Sequence, residues 1–394
     1  RTADRCDELK KQPGFEEMVK KTTGLVVDPY FSSTKIEWLL KNTKGLSARV
    51  QNGDAVFGTI DTFLLHRLSG GVTLATDVSN ASRTMLMDLK TLKWSEELCR
   101  TFGITPASLP QIMPSSGVFG HTKGLGFLPD DIPVAGILGD QQAALFGQLC
   151  LEPGEAKCTY GTGAFLMCNT GEDIVYSKHG LVTTVAWTIQ GKTSYALEGS
   201  AFVAGAAVQF LRDNLGLIHS ASEIEGLALQ AKEEEMGDLV FVPSLTGLGA
   251  PYWDPRATGM LYGLTRGTKK QHIARATLEG IALQNDALFT AIAEDCKPEG
   301  IKTIRVDGGA SASNFLVQLQ ADLAGVAIQR PRILDTTALG SGLAAGLAVG
   351  LWKTPEELRG SWKLEREFKP RMAESQREFL RKKWARGVRQ VQTQ

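Results

Sequence analysis

Twice along the chain a β-branched apolar run breaks at small residues and restarts as an Ala/Leu-rich stretch: "IPVAGILGDQQAALFGQ" (132–148) and "IKTIRVDGGASASNFLVQLQADLAG" (301–325). A strand that feeds a helix through a turn of a few residues must pack that helix back on its own sheet, which favours an α/β fold over an all-α or all-β one. Asp140 stands at the first of these joins. An aspartate there is a good helix N-cap and also a good base, and the residue type alone leaves both roles open.

Between the joins the β signals are clearer. "EAKCTYGTGAFLMCN" (155–169) is two β-prone runs around Gly161-Thr162-Gly163 and predicts a hairpin. "GLVTTVAWTIQGKTSYALEGSAFVAGAAVQFLRDNLG" (180–216) predicts strand, Gln190-Gly191 turn, strand, then a helix ending near Gly216. "HIARATLEGIALQNDALFTAIAED" (272–295) predicts an amphipathic helix, and "PEELRGSWK" and "MAESQREFLRKKWARGVRQVQ" predict terminal helices with solvated faces. Near the start, Ala3, Cys6 and Leu9 form one helical stripe; "AVFGTIDTFLLHRLSGG" (55–71) predicts a strand end followed by a helix stopped at Gly70-Gly71. The one candidate boundary is "GQLCLEPGEA" (147–156), where helical character stops and β character resumes. With 394 residues, two domains are expected, 1–149 and 150–394.

Composition excludes several classes. Lys+Arg and Asp+Glu are both 43, so no general field draws the chain to nucleic acid or an anionic membrane. Six cysteines without a C-x-x-C pair suggest neither a zinc site nor a disulfide framework, and a reducing, cytoplasmic location is expected. The five histidines show no metal spacing, and no apolar run approaches membrane-spanning length.

Three glycine turns follow strands: Gly161-Thr162-Gly163, Gly199 to Gly205, and Gly308-Gly309. Each exposes backbone N–H groups that a phosphate can approach, and each alone is weak evidence. None is a G-x-G-x-x-G opening a helix, and no Walker-type glycine loop is present. Their order after Asp140 suits a nucleotide gripped at both ends, an arrangement similar to the actin-like ATPase superfamily with two ribonuclease-H-like domains.

"YFSSTKIEWLLKN" (30–42) and "GMLYGLTRGTKKQHIARATLE" (259–279) resemble the two signatures of the FGGY carbohydrate kinases; "TDVSNASRTML", "GDQQAALFGQ", "TYGTGAF", "LTGLGAPYWDP" and "RVDGGA" resemble the members that phosphorylate glycerol. The resemblance runs along the whole chain. It implies two ribonuclease-H-like α/β domains, the first incomplete, with ATP and Mg²⁺ as cofactors. Glycerol and ATP/ADP are the partners it implies, in a homo-oligomer, with no nucleic acid and no membrane insertion. Carried over by position, Asp140 is the catalytic base and faces the metal indirectly. Tyr30, Gln141 and Phe165 join Asp140 at the substrate; Gly161, Thr162, Gly205, Gln209, Gly309 and Ser313 hold the nucleotide. "GAPYWDP" has a family match and is read as a loop shaping the domain junction.

Two departures are visible. The family's opening D-x-G-T-T turn and the Arg-Glu pair that clamps glycerol do not occur here, so a fragment with little turnover is expected. Ser313 stands where the glycerol-specific members carry Asn, with Asn314 one residue on; that shift turns a side chain by about 100° on a helix, so Asn314 is not expected to replace it. Arg83 and Asp77 are expected in buried structural pairing. Two rival readings stay open: a kinase for another polyol or ketose, and a non-catalytic nucleotide-binding protein on the same scaffold.

Overall fold

The computed structural model describes residues 1–298 and 300–393. In the first part, helix α1 (Ala3–Lys10) buries Cys6 and Leu9, whereas Ala3 is exposed and Thr2 is buried in its place, hydrogen-bonded to Thr34. Helix α2 (Ile60–Leu68) stops before Gly70 and Gly71, whose φ angles of +66° and +85° suit residues without a Cβ. The expected strand end before α2 does not form. Residues 55–59 lack a strand partner, and Phe57 N reaches Ser108 O instead (2.8 Å). Strand β1 (Ala75–Asp77) pairs in parallel with β2 (Gln111–Met113) and leads into the one-turn helix α3 (Val78–Ala81). Strands β3 (Ser116–His121) and β4 (Pro133–Gly136) pair antiparallel, and β4 leads to helix α4 (Asp140–Gly147).

The second part is built on one mixed sheet. Strands β5 (Glu155–Tyr160) and β6 (Ala164–Gly171) form the predicted hairpin, with Tyr160 opposite Ala164. Strands β7 (Val182–Ile189) and β8 (Lys192–Ala201) form the next, turning on Gln190 and Gly191, both at positive φ as a two-residue hairpin turn requires. Helix α5 (Gly205–Asp213) follows, then the long helix α6 (Lys270–Asp295). Strand β9 (Thr303–Asp307), helix α7 (Asn314–Ala324), strand β10 (Ile328–Pro331), helix α8 (Thr336–Ala348), strand β11 (Leu364–Phe368) and helix α9 (Glu374–Val391) complete the chain. The expected helix at "PEELRGS" is a 3₁₀ segment, Pro355–Ser361. The strand order is β11-β10-β9-β5-β6-β8-β7.

Both faces of this sheet are covered, and the alternation of residues shows it. Leu166, Cys168 and Leu197 belong to a core that includes Leu278 and Ile281 of α6; Met167 and Ala196 belong to a second core with Phe146 of α4 and Leu343 of α8. Full burial of each such side chain is worth roughly 1.5–3 kcal/mol. The catalytic candidate's helix is therefore held on the sheet. Phe146 packs edge-on against Trp187 of β7 (5.1 Å), and buried Gln142 donates to Thr184 Oγ1 and Val185 O (both 3.3 Å). The "GAPYWDP" loop does more than shape a junction. Asp254 accepts hydrogen bonds from Thr393 N (2.6 Å) and Oγ1, tying down the end of the chain, while Trp253 packs against the cores of both parts.

Candidate active site

Asp140 is the first residue of α4, not its cap: Gly139 holds the cap position and gives its N–H to Ser79 Oγ (2.8 Å). Ser79 is itself placed by Asp77, whose buried carboxylate caps α3 through Ser79 N and Asn80 N and accepts from Ser115 Oγ (2.6 Å). Burial pushes the Asp77 carboxyl up, and those hydrogen bonds pull it back. Asp77 thus pairs with hydroxyl and amide groups rather than with Arg83. The result is an Asp140 side chain that is exposed, with Oδ1 accepting only from the next residue's N–H (2.8 Å) among the described residues.

Asp140 lines a cavity of about 690 Å³ together with Tyr30, Arg83, Gln141, Asp61 and residues of α2 and α8. Two carboxylates share this wall, and their surroundings separate their roles. Asp61 has both oxygens occupied, by Thr59 Oγ1 (2.5 Å) and Thr76 Oγ1 (2.6 Å), whereas Asp140 keeps acceptor capacity facing the cavity. Tyr30 is 60 % exposed with its ring edge against Phe31 (5.3 Å). Arg83, expected in buried structural pairing, has such a partner and also lines this wall. It pairs with buried Glu198 (3.0 Å) and lies 5.5 Å over the Phe31 ring, and its Nη1 has no hydrogen-bond partner among the described residues. Phe165, expected at the substrate, sits half-buried on β6 between Thr159 and Ser200 of the neighbouring strands and lines neither this cavity nor the next.

A second cavity, of about 470 Å³, gathers Gly161, Thr162, Gly205, Gln209, Gly309 and Ser313. Its glycines are there for close approach. Gly205 N donates to Gly161 O (2.9 Å), and a Cβ at Gly205 would stand 2.6 Å from that oxygen; a Cβ at Gly308 would meet Tyr160 O at 2.5 Å, on a backbone at φ +82°. The GTG turn is thus seated on the first turn of α5 and against the β9–α7 turn. Ser313 caps α7, accepting from Leu316 N (3.2 Å), and Asn314 Oδ1 accepts from Arg330 Nη2 (2.9 Å), so Asn314 is occupied elsewhere.

The two cavities are joined by one buried side chain. Lys157 of β5 donates to Gln141 Oε1 in the first and to Thr159 Oγ1 (3.1 Å), on the strand leading into the GTG turn of the second. Sequence reasoning passed over it. No local signal marked it, because one of the two strands that bury it, β9, lies about 150 residues further along the chain.

A larger cavity with an exposed carboxylate and a second built on glycine turns make a two-site α/β scaffold suited to group transfer between two bound molecules. Comparison with known proteins makes the class specific. The N-terminal domain of the FGGY family of carbohydrate kinases matches residues 1–147 and its C-terminal domain residues 156–349. The chain is 54 % identical over 390 residues to a glycerol kinase of Myxococcus xanthus and 51 % identical over 392 residues to one of Bdellovibrio bacteriovorus, covering 98–99 % of this chain and 78 % of each relative. Among solved structures, glycerol kinase of Plasmodium falciparum with ADP superposes at a TM-score of 0.91, with 36 % identity over 99 % of this chain and 77 % of that one. A xylulose kinase of Lactobacillus acidophilus shares the fold at a TM-score of 0.84 and 24 % identity, covering 98 % of this chain and 77 % of that one. The chain belongs to the FGGY family of carbohydrate kinases.

Proposed function

We propose that this chain phosphorylates glycerol with ATP, giving glycerol 3-phosphate and ADP, with residues 1–149 presenting the alcohol and residues 150–394 the nucleotide. The observation that carries the reading is the exposed Asp140 carboxylate at the start of α4, with one oxygen unpartnered among the described residues, in a cavity whose other wall carboxylate accepts a threonine hydroxyl on each oxygen. The glycerol kinases similar to this chain over nearly all of it support the choice of substrate.

In this reading a terminal hydroxyl of glycerol hydrogen-bonds to Asp140, which orients it for in-line attack and takes its proton as the phosphorus–oxygen bond forms. Gln141 hydrogen-bonds the glycerol hydroxyls, the reacting one among them, and Tyr30 holds another. The nucleotide lies in the second cavity, with its phosphates toward Gly161 and Thr162 and its adenosine toward Gly309 and Ser313; Gly205 and Gln209 complete the wall.

Mg²⁺ fits this donor set. No cluster of three or more metal-ligating side chains occurs among the described residues, and Mg²⁺ needs only one or two carboxylates when it keeps waters and binds phosphate oxygens. Asp140 would hold it through water; when bound, the ion neutralises charge on the β- and γ-phosphates. No helix among the described residues is long and apolar enough to cross a membrane, and the described cysteines are unpaired, which suits a cytoplasmic enzyme.

Glycerol-dependent ADP release tests the reading, with dihydroxyacetone, xylulose and gluconate as competitors. In a kinase that also carries the D-x-G-T-T turn and the Arg-Glu pair, Asp140→Asn is expected to lower kcat roughly 10²- to 10⁴-fold while ATP-analogue affinity stays within about 3-fold. Turnover unchanged in Asp140→Asn removes it as base. A protein that binds the ATP analogue but neither binds nor phosphorylates glycerol refutes the substrate.

A further inference from the structure

Lys157 is completely buried (0 % exposed) on β5, between β9 and β6. Removing an ammonium from water costs several kcal/mol unless it is well partnered, so a lysine kept in such a place needs a reason. It makes no direct salt bridge among the described residues; its partners are Gln141 Oε1 and Thr159 Oγ1. Burial pushes its pKa down, and the carboxylates of Asp307, Glu198 and Asp140 hold it up.

An ammonium only donates, while a primary amide has an accepting end and a donating end. Gln141 turns its oxygen to Lys157, and its Nε2 has no protein partner among the described residues. Gln141 and Asp140 are adjacent in the wall of the larger cavity, one therefore offering N–H and the other carboxylate oxygen.

We propose that Lys157 is a positioning residue for phosphoryl transfer: it fixes the Gln141 amide with Nε2 toward the substrate, so that hydrogen bonds run in one direction from Lys157 through Gln141 and the reacting hydroxyl to Asp140. A hydroxyl oxygen that accepts from Nε2 has its proton aimed at the base. With the amide reversed, the same hydroxyl would face two acceptors with one proton, and the proton would be shared with a group that cannot take it. The arrangement also selects an alcohol, which donates and accepts, over a group that does only one. This inference rests on the reading that glycerol meets Gln141 and Asp140.

Five proteins test it: wild type, Gln141→Glu, Gln141→Ala, Lys157→Met, and Lys157→Met combined with Gln141→Ala, each measured for glycerol affinity by calorimetry, KM and kcat, ATP-analogue affinity, and Tm. Gln141→Glu keeps a partner for Lys157 and removes the outward donor, so Tm should be unchanged or higher while glycerol affinity falls roughly 10- to 100-fold and ATP-analogue affinity stays within about 2-fold. Lys157→Met should raise the glycerol KM about 10-fold in the wild-type background and less than about 2-fold when Gln141 is already Ala, because two residues acting through one contact are not additive. Gln141→Glu binding glycerol within about 3-fold of wild type overturns the inference, and so does a Lys157→Met effect of equal size in both backgrounds. If Lys157→Met does not fold, Gln141→Glu decides alone. Wild-type protein that binds no glycerol overturns the proposed function and this inference together; wild-type protein that binds it, with Gln141→Glu unaffected, overturns this inference only.

Discussion

Ser313 and Asn314 show how one register position divides two roles. The Ser313 hydroxyl caps α7 and Ser313 also lines the smaller cavity, whereas the Asn314 side chain is held by Arg330. Ser313→Ala should cost about 1 kcal/mol of stability, since it deletes a cap; Ser313→Asn should not, because Asn caps equally well, and calorimetric unfolding separates the two. The thiols permit a second prediction. Burial pushes Cys6 and Cys99 up to about 11 and Cys150 and Cys158 up to about 12, while Cys296 is held down by a hydrogen bond with Cys168 and is the one cysteine not fully buried. Thiol titration of native protein at neutral pH should label Cys296 first, and the rest only on denaturation; rapid labelling of Cys150 or Cys158 would contradict their burial. Asp140 stood out in the sequence at a strand–helix join, but its proposed role and that of Gln141 came only from the family resemblance. Lys157 was not legible, and for Arg83 only a buried pairing was expected, not its partner. A lysine in an alternating strand reads as solvent-facing until the strand is known to be central, and Arg83 meets Glu198 across a sequence separation that no local pattern encodes.

At the scale of elements, helix α4, which carries Asp140, depends on a helix far along the chain. Helices α4 and α8 approach so closely that a Cβ at Gly147 would stand 2.0 Å from Thr336 O, and one at Gly340 would stand 1.9 Å from Ala143 O. Those contacts are with backbone, which cannot swing aside. Gly340→Ala should therefore destabilise by about 1–3 kcal/mol or more and displace α4, lowering kcat as well as Tm, while Gly342→Ala, where a Cβ meets nothing within 4 Å, should leave kcat unchanged. Equal effects of the two substitutions would show that α4 does not rest on α8. Hairpins β5/β6 and β7/β8 were readable because a two-residue period and a glycine turn are local signals. The misread strand before α2 shows the limit: extended, apolar residues form a strand only where another strand is available, and Phe57 finds a single carbonyl. Likewise "TDVSNAS" is a capped turn of helix because Asp77 finds Ser79 N and Asn80 N, a contact that composition alone does not reveal.

For the whole molecule, the segment between the two parts is held by one arginine. Arg305 of β9 donates through Nη1 to Gln148 O and Leu149 O (both 2.6 Å) and through Nη2 to Glu155 (3.2 Å), with its guanidinium 5.0 Å over the Trp362 ring. The neighbouring Gln148 side chain accepts from Trp362 Nε1 (2.9 Å) and donates to Asp307 Oδ2 (2.7 Å), and Asp307 ends the strand that carries the nucleotide-side glycines. The connection after α4 is thus fixed to the second part by a planar fork that lysine cannot copy, since an ammonium is a point donor on a flexible stem. Arg305→Met leaves two carbonyls and one carboxylate without their donor and should cost about 2–4 kcal/mol, lowering Tm by several degrees in calorimetry. Arg305→Lys should restore the charge opposite Glu155 and recover only part of that loss. Because neither cavity contains Arg305, ATP-analogue affinity should stay within about 3-fold while kcat falls, the relative placement of alcohol and phosphate being what the clamp sets. A Tm and kcat in Arg305→Met indistinguishable from wild type would mean that the connection is positioned by its packed helices alone.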